Sequence, residues 1–373
     1  MSERKKITFF MDALHGGGAE KAVVNLLKGL AQRDEFDLDL VLATKEGPYL
    51  NQVPHKVRII DLQAGRAVMA TLPLINYLKQ NRPWALIGNM GHVNVVATMA
   101  KELARIQTRL ILVVHNTISA NRGLPKRAKL VHFLMKWLYP RADGVAGVSV
   151  GVARDLEEQL GWERGTVKVL NNPVVNEELI TQSEAGLEHP WFLPGEPPVF
   201  LAVGRLSPQK DFPNLLDAFF QLRNQREARL IILGEGSERA KLETIIAESN
   251  LQNDVLLPGF VKNPYAYMKR SSCFVLSSRQ EGLPTVLIEA MACGCPVVAT
   301  NCPSGPDEIL DGGTYGSLVP IENSQALATA MLEALEHPPQ AELLKERANE
   351  YSTEKVVTTY LSLLNKVQSL NLA

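Results

Sequence analysis

Short unbroken apolar runs alternate along the chain with stretches in which apolar residues recur at helical spacing. Ile7 to Met11 reads as a buried strand. A Gly-rich loop follows, and Val23, Leu26, Leu27 and Leu30 then mark one face of a helix before a strand at Leu38 to Ala43. The same order returns downstream. A strand at Val199 to Val203 leads into the loop GRLSPQKDFPN, a helix carrying Leu215, Phe219 and Leu222, and a strand at Leu230 to Leu233. Strands alternating with helices predict parallel βαβ units and a doubly wound α/β sheet. Two separate starts predict two such domains, over residues 1–180 and 196–350. The Pro-rich, polar stretch NNPVVNEELITQSEAGLEHPWFLPGEPP is the expected linker, and EHPP at 336–339 marks a further break before helical segments that run to the C-terminus.

One helix does not fit the amphipathic pattern. In EGLPTVLIEAMACGCPVVAT, Pro284 to Cys293 reads as a helix, with Pro suited to its first turn and Gly294 to its exit. Its residues are apolar on every face, so the helix is expected to be buried. Glu289 interrupts it, and a second carboxylate, Glu281, precedes its start.

Composition narrows the class. A chain of 373 residues with 46% hydrophobic and 21% charged residues matches a soluble globular protein with more than one core. The net charge of −1 gives no sign of a nucleic-acid partner, and no apolar run approaches the ~20 residues that cross a bilayer. The basic start MSERKK precedes only a short apolar run, read as the first strand and not as a signal peptide. Cysteines stand at 273, 293, 295 and 302 without paired metal-ligand spacing or a nearby His. They are expected as small apolar fillers in a reducing cytoplasmic setting, with no metal bound.

Open α/β sheets bind ligands beyond the carboxyl ends of their strands. That rule selects Leu14–Ala19, His115–Thr117, Gly204–Asp211, Gly234–Ser237, Pro258–Val261 and Arg279–Thr285. Arg205 and Lys210 would place a forked guanidinium and a mobile ammonium at such an edge, chemistry suited to a diphosphate, although two solvated loop charges would look the same. The free N–H groups of Leu283, Thr285 and Val286 at a helix start also suit an anion. A buried Glu289 needs donors. Ribose hydroxyls beyond a bound diphosphate would supply them, and so would an internal Arg or Lys; the helix alone leaves both open. Gly16, Gly17 and Gly18 before a helix would let a sugar or phosphate approach the backbone, or simply form a flexible loop.

Taken in order, GGGAEK, HNT, NNP, VGRLSPQKD, GEG, LPGFV and EGLPTVLIEAMACGCPVVAT resemble the retaining, nucleotide-sugar-dependent glycosyltransferases of family 4 over nearly the whole chain. The resemblance implies a GT-B fold, two Rossmann-like domains facing across a cleft. The N-terminal domain would take the acceptor and the C-terminal domain the donor, with the C-terminal helix, about 352–373, crossing back to the first domain. It further implies that Arg205 and Lys210 hold the donor diphosphate and that Glu289 holds the ribose. Glu281 would contact the donor sugar, with the backbone of Gly282, Leu283, Pro284 and Thr285 binding sugar and phosphate. Val261 would lie against the base, Gly17 and Gly18 near the donor, and His115 against the sugar. Catalytic roles then fall to Glu281, His115, Arg205 and Lys210.

Other motifs fail. Asp37-Leu-Asp39 has the shape of a metal-binding DxD, but it alternates at strand period within FDLDLVLA and is expected on an exposed strand face. GEGSER lacks the third glycine of a dinucleotide fingerprint, and GGGAEK lacks the P-loop spacing. Leaving-group charge is therefore assigned to Arg205, Lys210 and the helix dipole, without a metal or other cofactor. Between Glu102 and Asp143 there are eight basic and no acidic residues, and Leu130, Phe133, Leu134, Trp137 and Leu138 share one helical stripe. Residues 122–141 thus suit an anionic membrane, or a core-facing helix with a solvated basic side. The expected protein is a metal-independent retaining hexosyltransferase, cytoplasmic or peripheral at the inner face of the cytoplasmic membrane. It would move a sugar from a nucleoside-diphosphate donor, UDP-linked, to a lipid-linked or polysaccharide acceptor; an N-acetylhexosamine or hexose donor fits the resemblance. A non-catalytic nucleotide-sugar-binding protein and a UDP-sugar 2-epimerase-like enzyme are the alternatives.

Overall fold

The computed structural model describes residues 4–119 and 126–370. The chain divides into two compact units, one of residues 1–173 with 353–373 and one of residues 174–352.

In the first unit the strands β1 (Lys5–Met11), β2 (Phe36–Leu42), β3 (Val57–Asp61), β4 (Ala85–Asn89), β5 (Arg109–Val114), β6 (Gly144–Gly147) and β7 (Lys168–Val169) form one parallel sheet. Their order is β3-β2-β1-β4-β5-β6-β7. The direction of winding therefore reverses between β1 and β4, which opens a crevice at their carboxyl ends. Parallel strands are covered on both faces, which explains apolar runs such as RLILVV at β5 and the full burial of Ile7, Phe9, Phe10 and Met11. The C-terminal helix Thr353–Leu370 packs on the helix Gly18–Ala31 of this unit. Gly29 permits that approach, because a Cβ there would lie 2.5 Å from Thr353 Cγ2 and 2.8 Å from Val357 Cγ2.

The second unit holds β8 (Val199–Val203), β9 (Arg229–Leu233), β10 (Val255–Gly259), β11 (Cys273–Leu276), β12 (Val297–Thr300) and β13 (Ser317–Val319). Their order, β10-β9-β8-β11-β12-β13, reverses between β8 and β11. Its core joins Phe200, Phe219, Leu230, Ile232, Val275 and Met331. The four cysteines are buried and unbridged. Burial pushes the Cys293 and Cys302 thiols up to about 12, so they are inert apolar fillers.

Two expectations change. The first unit ends at Pro173 rather than at 180, and the expected linker is structured. Helix Glu177–Ser183 packs on helix Tyr265–Arg270, Asn263 Nδ2 donates to Gln182 O at 2.8 Å, and Lys269 meets Glu184 at 2.7 Å. Asp39 is not on an exposed face. β2 is an interior strand, so Asp39 is buried and accepts from Arg58 Nε at 2.9 Å, Arg58 Nη2 at 2.5 Å and the Tyr77 hydroxyl at 2.5 Å. That bonding leaves the DLD segment a structural ion pair.

Candidate active site

Both switch-point crevices carry polar side chains, and the one in the second unit is the richer. The loops that leave β8 and β11, adjacent strands, are joined at several points. Arg279 N donates to Gln209 O at 2.9 Å, Gln209 Nε2 to Gln280 O at 2.9 Å, and Ser277 Oγ to Lys210 O at 2.7 Å. The Arg279 guanidinium meets Asp211, whose left-handed φ of +48° lies just before helix Phe212–Arg223. These bonds aim Lys210 at Glu281. Lys210 Nζ lies 2.6 Å from Glu281 Oε1, which also accepts from Ser278 Oγ at 2.7 Å. The lysine and glutamate side chains are only 16% and 9% exposed, so their attraction is weakly screened.

Glycine makes this geometry possible. A Cβ on Gly234, at φ +142°, would lie 1.9 Å from Gly204 O, so the loops after β8 and β9 touch through backbone. On the other side, Thr300 Oγ1 donates to Ser278 O at 2.5 Å and Ser304 Oγ to Gly282 O at 2.8 Å. The loop after β12 therefore buttresses Glu281 to Pro284. Sequence reasoning missed Ser278 and Ser304, and gave no role to Asp211 and Thr300 at the ends of stretches it singled out. All are common residue types, and the distance in sequence to their partners gives no periodic signal.

The remaining expected donor residues of the second unit lie on the loops after β8, β10 and β11 and on the helix that follows β11. Arg205 is exposed on the β8 loop, with no ion pair among the described residues. Gly282, Leu283 and Pro284 are buried and lead into helix Thr285–Ala292, whose first turn no side chain caps. Glu289 is 3% exposed within that helix, and its charge helps raise the Cys293 thiol. Val261, half-buried beside an exposed Phe260, follows β10, two strands away from β8.

His115, Gly17 and Gly18 belong to the first unit. Gly17 precedes the helix Gly18–Ala31 and has no side-chain cap to offer; a Cβ there would lie 2.5 Å from Glu20 Oε2. His115 follows β5, is buried, and its Nε2 lies 3.3 Å from Asn89 Oδ1 at the end of β4. With that oxygen as acceptor the proton is on Nε2, and Nδ1 has no partner among the described residues. Burial lowers the imidazole to about 4, so it is neutral at physiological pH. Beside it the crevice between β1 and β4 holds Asp12 Oδ2 and His92 Nε2, 3.7 Å apart, and Met90 at a φ of +79°. Asp12 and His92 were not foreseen, since neither lies in a recognisable motif.

No group of His, Cys, Asp and Glu among the described residues is arranged to hold a metal ion, and none of their helices is long and apolar enough to cross a membrane. Of the basic residues expected to face a membrane, Arg122 lies outside the described residues, as do the side chains of Lys126, Arg127 and Lys129.

Residues 16–178 match the family model described as glycosyltransferase family 4, and residues 187–351 match that of glycosyl transferases group 1. The chain is 30% identical over 358 residues to the N-acetylgalactosamine-N,N'-diacetylbacillosaminyl-diphospho-undecaprenol 4-alpha-N-acetylgalactosaminyltransferase of Campylobacter jejuni, covering 92% of this chain and 94% of that one. It is 27% identical to the amylovoran biosynthesis glycosyltransferase AmsD of Erwinia amylovora, over 96% and 99% of the two chains. Its fold is similar to that of Anabaena HepE, solved in complex with UDP, at a TM-score of 0.75 and 22% identity over 97% and 100% of the chains.

Proposed function

The chain belongs to the family 4 glycosyltransferases and has their GT-B fold, and from that premise we propose that it transfers a sugar, with retention, from a UDP-sugar to a lipid-linked or polysaccharide acceptor. The observation that carries the reading is the Lys210–Glu281 pair at the switch point of the second unit.

A departing nucleoside diphosphate develops negative charge while the sugar develops positive charge. Lys210 and the exposed Arg205 supply cations for the diphosphate, and the uncapped start of helix Thr285–Ala292 adds backbone donors and the positive end of its dipole. Glu281 supplies a carboxylate beside the sugar. Because its Oε1 is already bound to Lys210 and Ser278, it is held in one orientation as a hydrogen-bond acceptor. Glu289 accepts from the ribose hydroxyls, Val261 lies against the base, and neutral His115 bonds to the donor sugar. No metal is needed in this scheme, since side-chain cations and amides meet the diphosphate charge. The relative from Campylobacter jejuni is named for a diphospho-undecaprenol acceptor and that from Erwinia amylovora for amylovoran biosynthesis, which supports the acceptor class.

The test is direct. The chain should be stabilised by UDP and UDP-sugars in a thermal screen; ligand at a hundred times its Kd stabilises by roughly 2.7 kcal/mol. Transfer to a polyprenyl-diphosphate-sugar should give a product whose anomeric proton coupling matches the donor. Binding without transfer to any acceptor would favour a nucleotide-sugar-binding protein. Conversion of the donor sugar without acceptor would favour an epimerase.

A further inference from the structure

Asp211 sits where its residue type ordinarily does something else. It is the N-cap of helix Phe212–Arg223, and an Asp there usually accepts from a backbone N–H of the first turn. Here its side chain makes no cap bond. The backbone stands in the left-handed region, at φ +48° and ψ +45°, which glycine adopts freely and other residues seldom do. Asp211 is nonetheless buried, and its carboxylate faces Arg279 instead. Arg279 Nη2 donates to Oδ1 at 3.0 Å, and Arg279 Nε lies 3.0 Å from Oδ2, an ion-pair contact without hydrogen-bond alignment. A buried carboxylate needs such a partner, but neither the left-handed backbone nor the missing cap bond serves the helix. A backbone outlier of this kind points to a use elsewhere.

That use lies next door in the chain. Asp211 directly follows Lys210, and Arg279 stands two positions before Glu281. The backbone around Lys210 is thus tied on both sides of the residue. Before it, Gln209 O accepts from Arg279 N at 2.9 Å; at it, Lys210 O accepts from Ser277 Oγ at 2.7 Å; after it, Asp211 holds the Arg279 guanidinium. Glu322, beyond β13, also meets Arg279 Nε at 3.2 Å, but it is 57% exposed and adds little.

The tie matters once a donor arrives. A diphosphate carries more negative charge than Glu281, and both compete for the one Lys210 ammonium. A lysine on a loosely held loop would follow the diphosphate and leave Glu281 without the partner that orients it. We propose that Asp211 and Arg279 form a positioning clamp, which keeps Lys210 on Glu281 against the pull of the bound diphosphate and so keeps the carboxylate aligned with the donor sugar. Both residues act through Lys210 and are positioning residues, not catalytic ones. The inference rests on the proposed donor site.

A split between binding and turnover tests it. Arg279→Met leaves the bond from its backbone to Gln209 in place, and Asp211→Gly removes the carboxylate while suiting the left-handed φ. In both variants kcat for the UDP-sugar chosen by the thermal screen, with a polyprenyl-diphosphate-sugar acceptor, should fall about tenfold to a hundredfold. Their UDP affinity by calorimetry should stay at the parent level or tighten, because a released Lys210 is free to follow the diphosphate. Asp211→Asn, which keeps an acceptor for Arg279 Nη2, should recover part of the turnover. Glu322→Gln should match the parent. In a Glu281→Gln background, Arg279→Met should lower kcat little further, since the group it positions is already disabled. Parent-like kcat in both clamp variants overturns the proposal. So does a matching loss of UDP affinity and kcat, or an Arg279→Met effect that is fully additive with Glu281→Gln; either would make the pair a strut of the fold. A parent chain that neither binds UDP nor turns over a UDP-sugar sinks the donor reading, and the clamp with it.

Discussion

Lys210 and Glu281, 71 positions apart in the chain, meet at 2.6 Å across two loops that leave neighbouring strands. One belongs to the group proposed to hold the diphosphate and the other to the group proposed to hold the sugar. Their contact means that the two halves of the donor would be read by a single ion pair.

The pair can be dissected. Glu281→Gln keeps the shape and the bond to Ser278 but removes the charge that holds Lys210. UDP affinity should be nearly unchanged, while turnover of the UDP-sugar should fall by about two to three orders of magnitude, as when one preorganised transition-state partner is lost. Lys210→Met should instead weaken UDP itself by about tenfold or more, since a charge-assisted hydrogen bond contributes roughly 1.5–3 kcal/mol. Calorimetry with UDP and initial rates on both variants separate the roles. Equal loss of UDP affinity in both would make the pair a strut of the loop rather than a divided reader of the donor.

Glu289 tests the nucleoside end. It is 3% exposed in an otherwise apolar helix, so its carboxylate must be hydrogen-bonded or ion-paired wherever it is retained. Glu289→Gln preserves the volume, weakens the acceptor and adds an unneeded donor. Affinity for UDP and for the UDP-sugar should fall together, by about one to two orders of magnitude. Wild-type UDP affinity in this variant would assign Glu289 to internal pairing and remove the ribose role.

Much of the scaffold was legible because burial on both sheet faces writes itself into the chain as apolar runs. The strand Val199–Val203 is bounded by polar loop residues and has the ends its sequence predicts. What the chain does not display is strand order. FDLDL alternates as a half-exposed strand would, yet β2 lies between β1 and β3, and Asp39 is therefore enclosed and neutralised by Arg58. The stretch from 174 to 198 is rich in linker-like residues, but His189 and Phe192 find Tyr267, with ring contacts at 6.2 and 6.0 Å, and Trp191 lies under the Arg229 guanidinium. In the candidate site, the loops were legible from their place after strands. The bonds of Ser278, Thr300 and Ser304 that orient them join residues with no shared period, so only the folded chain reveals them.

Turnover should survive chelation. Arg205 and Lys210 flank the proposed diphosphate position, and the one Asp-x-Asp segment of the sequence, Asp37 to Asp39, has Asp39 committed to Arg58 and Tyr77. Rates measured in EDTA and again after addition of magnesium or manganese should coincide. Loss of all turnover in EDTA, restored by either ion, would require a metal in the mechanism.

His115 sets a pH dependence whose sign follows from its burial. The imidazole is held down to about 4, against about 6.5 in an unfolded chain. Between those values the unfolded chain binds a proton that the native state refuses, so stability rises with pH through the window and levels off above about 6.5. Read downward, acidification from neutrality toward pH 4 should cost about 3 kcal/mol through this residue alone. Carboxylates titrate over part of the same range, so the comparison must be between variants. His115→Gln, which can still donate to Asn89, should show a shallower fall in stability over that window than the parent, and the difference should vanish at pH 7.5 apart from a constant offset. Urea unfolding at several pH values measures both curves. Parallel curves would mean that His115 titrates as an exposed histidine does, and the neutral, sugar-facing role proposed for it would fall with that result.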